Sequence, residues 1–253
     1  MGQGIRRLRL HPYRLQYVLL SAALIGGCVE SMAIGETDTS KVTEQRSYAV
    51  CWSGGSGSRY GRRLVEVLLT AGHTVHLCAT GAALRVLKHE EGAALDFDAP
   101  DLASLFDAGL RSNLHVHDLH AVEATPASGS AGLAATIVVP CSMGTLARVA
   151  HGFSSNLVER AADVALKEGR PLVVVPRETP LSELHLENML KLTRLGVVVL
   201  PAMPGFYQRP QTVADLVDFI VGKILDRLGI EHQLVQRWQT PSADSPWDEG
   251  EVV

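Results

Sequence analysis

Ile137-Val-Val-Pro140, Leu172-Val-Val-Val-Pro176 and Val197-Val-Val-Leu-Pro201 are three short apolar runs, each closed by proline and followed by a polar segment suited to begin a helix. The runs are rich in β-branched residues, do not alternate with polar ones, and are separated by amphipathic helical sequence. Parallel strands covered on both faces read this way. Cys141-Ser-Met-Gly-Thr145, Arg177-Glu-Thr-Pro180 and Ala202-Met-Pro-Gly-Phe-Tyr207 follow the runs and are therefore expected together at the carboxyl edge of one sheet. Open α/β sheets bind ligands at that edge. The predicted fold class is α/β, three layers α/β/α around a mainly parallel sheet, in a single domain.

Toward the amino terminus, Tyr48-Ala-Val-Cys-Trp52 and Thr74-Val-His-Leu-Cys-Ala79 predict two more strands. Ser53-Gly-Gly-Ser-Gly-Ser58 turns the first into a helix ending near Gly72, with Ser58 as its N-cap. N–H groups freed at such a turn, backed by the helix dipole, suit a phosphate; equally, the turn needs glycine for its shape alone. It is neither G-x-G-x-x-G at dinucleotide spacing nor a P-loop, because no Gly-Lys-Ser/Thr follows. Thr80 leads into a helix from about Ala82 to Glu91, and Pro100 to Ala108 suggests a short acidic helix. His115, His117 and His120 invite a metal reading. They are expected on opposite faces of a strand without a carboxylate partner, so packed or solvated histidines are preferred and no metal is expected.

Toward the carboxyl terminus, Pro126-Ala-Ser-Gly-Ser130 is a loop rich in hydroxyls, and Cys141-Ser-Met-Gly-Thr145 opens a helix. The next helix has Asn156 as N-cap, Glu159 three residues on and Gly169 as its stop, with Lys167 in a last turn where it complements the dipole. Thr179-Pro180 reads as N-cap and first residue of a helix running to Gly196, with Leu181, Leu184, Met189, Leu192 and Leu195 in the core. A last helix, Thr212 to Leu228, turns Val213, Leu216, Val217, Ile220 and Ile224 inward and leaves Lys223 on a flank.

A chain of 253 residues, 46% hydrophobic and 20% charged, holds one buried α/β core plus tails. A net charge of -4 excludes general attraction to nucleic acid or an anionic membrane and leaves local recognition of a small ligand. Cys28, Cys51, Cys78 and Cys141 form no C-x-x-C pair and fit a reducing, cytoplasmic compartment. Residues 1–29 carry Arg6, Arg7, Arg9 and Arg14, contain no acid, and run apolar from Tyr17 to Val29, like a signal or lipoprotein peptide. That run is shorter than the roughly 20 residues of a spanning helix. A misassigned start with Met32 as initiator is preferred, with a targeting segment or genuine export as alternatives. The expected organisation is an extension over residues 1–46, a folded domain over 47–239 and a disordered tail over 240–253.

The predicted edge gathers Gly54, Gly55, Ser56, Thr80, the Ser128-Gly-Ser130 loop, Ser142 to Thr145, Arg177, Glu178 and Tyr207. The set is rich in hydroxyls and N–H groups and poor in acids, which suits a phosphorylated, planar cofactor. No Ser-His-Asp order or G-x-S-x-G elbow points to acyl transfer, and no paired carboxylates point to glycoside chemistry. Cys141, a thiol after a buried strand, is read as packing before nucleophile.

Gly54-Gly-Ser-Gly-Ser-Arg-Tyr-Gly61, Pro140-Cys-Ser-Met-Gly-Thr145, Asn156 to Lys167, Val175-Pro-Arg-Glu-Thr-Pro180, His185-Leu-Glu-Asn-Met-Leu190 and Pro201 to Pro210, in this order, resemble the flavin prenyltransferase (UbiX) family. The similarity spans about Tyr48 to Trp238. It implies a Rossmann-like, homo-oligomeric flavoprotein that joins the dimethylallyl group of dimethylallyl phosphate to reduced FMN. The product, prenylated FMN, serves a UbiD-type decarboxylase. FMN contacts carried over by the resemblance are Gly54, Gly55, Ser56, Thr80, Ser142, Met143, Gly144, Thr145 and Arg177. Tyr207 and Lys223 carry over as contacts of the donor phosphate, Trp238 as an aromatic near the prenyl pocket, and Ser56, Glu90, Lys167 and Glu178 as catalytic positions. Thr80 stands where serine is usual, Gly81 where lysine is common and Gly55 where alanine is usual. Breaking an allylic C–O bond builds charge on the departing phosphate, which cations and hydroxyls stabilise without a metal. The nearest rival is an FMN-dependent cysteine decarboxylase of the same broad fold. That group carries Asn in a Pro-Ala-Ser-Ala-Asn-Thr loop, where this chain has Pro126-Ala-Ser-Gly-Ser130. A non-catalytic FMN-binding subunit is the reading from a different class.

Overall fold

The computed structural model describes residues 44–235. Trp238, the tail over 240–253 and residues 1–43 of the expected extension lie outside the described residues. Six strands, β1 (Ser47–Trp52), β2 (Thr74–Ala79), β3 (Leu114–Val116), β4 (Ala135–Cys141), β5 (Leu172–Pro176) and β6 (Val198–Val199), form one sheet in the order β3-β2-β1-β4-β5-β6. Every pairing is parallel. The connecting helices are α1 (Ser58–Thr70), α2 (Gly81–Glu91), α3 (Met143–Ala150), α4 (Leu157–Lys167), α5 (Glu183–Arg194) and α6 (Val213–Leu228).

Alternation along the central strands builds two cores. Val50 and Val139 pack with Leu64 and Leu68 of α1, Leu87 of α2 and Ile220 and Ile224 of α6. Their neighbours Cys51, Val138 and Cys141 pack on the opposite face with Leu146 of α3, Ala161 and Ala162 of α4 and Leu192 of α5. This double burial explains why the strands read as continuous apolar runs. The chain winds outward from β1 to β3, crosses to β4, and winds outward the other way to β6. Winding therefore reverses between β1 and β4, and a crevice opens beyond their carboxyl ends. Pro140 lies inside β4, where it has no N–H to give, and the β4–β5 register shifts between Val138 and Cys141.

Several local expectations are corrected. The residue Ser182, and not Thr179, caps α5, in a reciprocal box with His185; Thr179–Pro180 is a cis peptide in the preceding loop. Of the leucines assigned to the core of that helix, Leu192 is buried, whereas Leu184 and Leu195 are 69% and 56% exposed. Val213 of α6 is likewise exposed. Helical periodicity fixes which residues share a face, but whether another element covers that face is a tertiary matter. The acidic stretch near Pro100 forms a short 3-10 turn, Leu102–Leu105, capped by Asp101. His115 in β3 and His117 directly after it, two residues apart, share one face because side chains repeat every second residue along extended backbone. Both meet His76 of β2: His115 stacks on its ring, and His117 Nε2 lies 2.9 Å from His76 Nδ1. They are packed as preferred above, but not on opposite faces.

Candidate active site at the carboxyl edge

Two strand-to-helix turns meet where the winding reverses. Ser53, directly after β1, donates its N–H to Pro140 O at 3.1 Å, and its Oγ accepts the Ser142 N–H at 2.8 Å. The ends of β1 and β4 are thereby tied together. In the first turn Gly57, not Ser58, is the N-cap of α1, at φ 110°, a conformation open to glycine. A β-carbon at Gly57 would also lie 2.7 Å from the Tyr60 ring. Gly54 is required for packing, since a β-carbon there would approach Ala82 Cβ to 2.6 Å.

Glu90, from the last turn of α2, occupies the N-terminus of α1. Its carboxylate accepts the N–H groups of Gly57 (3.0 and 3.1 Å) and Ser58 (2.9 Å) and the Ser58 hydroxyl at 2.8 Å. Burial works to raise the Glu90 pKa, but the Ser56 hydroxyl and these donors outweigh it and hold the group below the usual carboxylate range. The phosphate expected at this turn thus meets a position already filled by a carboxylate.

The second turn is open. Ser142 Oγ caps α3 by accepting the Thr145 N–H at 3.3 Å and donates to Thr145 Oγ1 at 3.0 Å. The N–H groups of Met143 and Gly144 have no partner among the described residues. The Met143 side chain is buried in the core, so only its backbone faces the edge. A β-carbon on Gly55 would sit 3.4 Å from Ser142 N, at the floor of the crevice. Thr80 caps α2, its Oγ1 accepting the Ala83 N–H at 3.1 Å, which leaves its own hydrogen to give. Arg177 follows β5 beside this turn, its N–H bonded to Cys141 O at 3.3 Å, and its Nε is buried without a hydrogen-bond partner. An unpaired, buried guanidinium N–H at the same sheet edge as free helix N–H groups calls for an anion. The donor set therefore fits a flavin phosphate or a polar flavin edge, with Ser142, Met143, Gly144, Thr145 and Arg177 around it.

Tyr60, missed in the sequence, is half-buried; burial raises its pKa, and Arg177 and Glu90 act on it with opposite signs. The signal that could have found it is its place three residues after a glycine that its own ring forbids to be larger. After β6, Tyr207 sets its ring edge against Phe219 at 5.8 Å, and the Lys223 ammonium lies 5.6 Å over the same ring. Phe219, also missed, joins these two expected residues. Glu178 follows Arg177 and bonds the Thr179 N–H at 3.0 Å. Cys141 is fully buried and its thiol is pushed up to about 12 by burial and then by Cys51, which removes it as a nucleophile.

Two expected members lie elsewhere. Lys167 ends α4 and precedes β5, at the amino edge of the sheet, where it pairs with Glu168 at 2.6 Å. The Ser128–Ser130 loop precedes β4 at that same edge; Arg170 bonds Gly129 O. Linear order had placed this loop with the other hydroxyls; the parallel sheet puts it at the opposite end.

Residues 36–225 match the family model Flavoprotein. A flavin prenyltransferase UbiX from Alkalihalophilus pseudofirmus is 53% identical over 190 residues, 74% of this chain and 92% of the relative. That of Pseudomonas aeruginosa is 47% identical over 189 residues, 74% of this chain and 90% of the relative. Among solved structures, AnUbiX in complex with FMN and dimethylallyl pyrophosphate has a TM-score of 0.68 at 36% identity, covering 79% of this chain and 100% of its own. A dodecameric FMN-dependent UbiX-like decarboxylase from Escherichia coli has a TM-score of 0.69 at 42% identity, covering 77% and 100%. Sequence and architecture agree: the chain belongs to the UbiX flavin prenyltransferase family of flavoproteins.

Proposed function

We propose that this protein transfers the dimethylallyl group of dimethylallyl phosphate to reduced FMN, giving prenylated FMN. The observation that carries the reading is the unpaired, buried Arg177 Nε at the same carboxyl edge as the open N-terminus of α3, which follows β4 where the sheet's winding reverses. Reduced FMN supplies the nucleophile when bound. Gly54, Gly55 and Ser56 line one side of the crevice, Thr80 offers a hydroxyl, and Ser142 to Thr145 with Arg177 hold the polar end. Tyr207 and Lys223, joined through Phe219, receive the donor phosphate and stabilise the charge that grows as it leaves. Phe219 and, in this reading, Trp238 give the allyl cation an electron-rich wall. Glu178 moves protons to or from the phosphate, and Glu90 orders the Ser56 turn.

Lys167 enters the reading only through a second copy. It sits at the amino end of β5 and Arg177 at the carboxyl end, about 15 Å apart at the rise of a parallel strand. Leu184 and Leu195 on one side of α5 and its cap, and Leu186 and Leu190 on the other, are exposed apolar residues, which supports a homo-oligomer in which another subunit delivers Lys167. The product is destined for a UbiD-type decarboxylase. Buried, free Cys51, Cys78 and Cys141 support a cytoplasmic setting, and among the described residues no helix is long and apolar enough to cross a membrane. Anaerobic reduction of the protein with FMN, followed by dimethylallyl phosphate, is expected to give a flavin heavier by one five-carbon unit. Glu178→Gln keeps FMN and slows that conversion. A flavin of unchanged mass with a competent donor rejects the reading.

A further inference from the structure

Consecutive glutamates at the end of α2 converge on one hydroxyl. Ser58 Oγ lies 2.8 Å from Glu90 Oε2 and 2.7 Å from Glu91 Oε1. A serine hydroxyl owns one hydrogen, so it serves one carboxylate and faces the other oxygen to oxygen unless another donor relieves that group. Arg62 is that donor. Its Nη1 bonds Glu91 Oε2 at 2.9 Å, and its Nε is braced by Glu66 at 3.2 Å one helical turn on. Among the described residues, no hydrogen bond or ion pair joins Arg62 or Glu91 to the Ser53–Ser56 turn or to a residue assigned above to FMN or the prenyl donor.

We propose that Arg62 is a positioning residue: by satisfying Glu91 it leaves the single Ser58 hydrogen to Glu90, the carboxylate that orders the start of α1 and the cofactor-binding turn before it. Without Arg62, Glu91 loses its ion-pair partner and keeps only Arg59 and Arg63, cations of the same pocket that are not bonded to it, so it draws the Ser58 hydrogen to itself and stands as a second negative charge beside Glu90. Both changes disfavour the Glu90 anion. The Gly57 and Ser58 N–H groups then lose the acceptor that holds the turn. The inference rests on the flavin-binding part of the proposed function for its consequence, but not for its primary readout.

The test follows the carboxyl-carbon NMR titration of Glu90 in flavin-free, full-length protein, and then FMN affinity in the same variants without prenyl donor. Arg62→Ala raises the Glu90 titration midpoint and weakens FMN about tenfold, the loss of one hydrogen bond to a charged group. Arg62→Lys keeps both near wild type. Glu91→Gln added to Arg62→Ala restores them, because the competing charge is gone. Mere structural damage predicts a double variant as poor as Arg62→Ala or worse, and that result overturns the proposal. If Arg62→Ala does not fold, Glu91→Gln alone decides: it leaves the midpoint no higher than in wild type, whereas a rise shows that Glu91 itself holds the turn and also overturns the proposal. A Glu90 midpoint that follows this pattern in a protein that binds no FMN keeps the positioning role and rejects the flavin reading.

Discussion

The turn after β1 and the turn after β4 are neighbours, both are rich in small polar residues, and both open a helix, yet their ends are finished in opposite ways. At α1 the free N–H groups are taken by Glu90, which arrives from another helix. At α3 the cap is local, through Ser142 and Thr145, and the first N–H groups stay available. One helix terminus is thus structural and the other is left for a ligand. The lesson is that a glycine- and serine-rich turn does not mark an anion site until the tertiary structure shows whether the protein has supplied its own anion.

Removing Arg177 tests the open turn most severely. Arg177→Gln is expected to weaken FMN roughly 30-fold or more, the equivalent of about 2 kcal/mol for a charge-assisted hydrogen bond, while the melting temperature barely moves. Equal losses of affinity and stability would mean that Arg177 is a structural residue. Calorimetric binding and thermal melts on the same samples separate the two. Glu90→Gln should invert the pattern at the closed turn, lowering stability by about 1 kcal/mol through the helix start, with a smaller effect on FMN. Melts at neutral pH read it, and a stable Glu90→Gln protein would deny the intramolecular cap.

Acid sharpens the contrast from outside the site. Burial, then His117 and His115, lower the His76 pKa from 6.5 to about 4. A histidine depressed in the folded state adds stability above its unfolded pKa and loses it as pH falls through the folded one, here from 6.5 toward 4. Discounted for partial water access beside the short edge strand β3, the loss is about 1 kcal/mol. Amide exchange of His117, whose N–H bonds Leu77 O at 2.8 Å, should therefore accelerate across that window. The Gly57 and Ser58 amides stay protected there, because Glu90 is held below the usual carboxylate range. Synchronous loss at both places would show that the edge and the site unfold as one unit.

The strands, the helix starts after Thr80 and at Ser142 to Thr145, and the cap at Asn156 were legible because burial on both faces and local hydrogen bonds leave marks within a few residues, whereas the caps expected at Ser58 and Thr179 fall on Gly57 and Ser182. So was the grouping of Ser142 to Thr145 with Arg177, since each directly follows a strand of one parallel sheet. The closing of the first turn by Glu90 was not legible, because it joins residues 33 positions apart whose spacing carries no period. Neither was the exposure of Leu184 and Leu195, nor the clustering of His76 with His115 and His117.

The sequence by itself determined the α/β fold, the family, and the carboxyl edge as the candidate site. Only the tertiary structure decided which helix N-terminus remains open, and that Lys167 and the Ser128–Ser130 loop face away from Arg177 at the other end of the sheet. The physical reason is that strand order and direction, not linear order, assign residues to an edge. A carboxylate brought in from a distant helix can then cancel a site that local sequence alone offers.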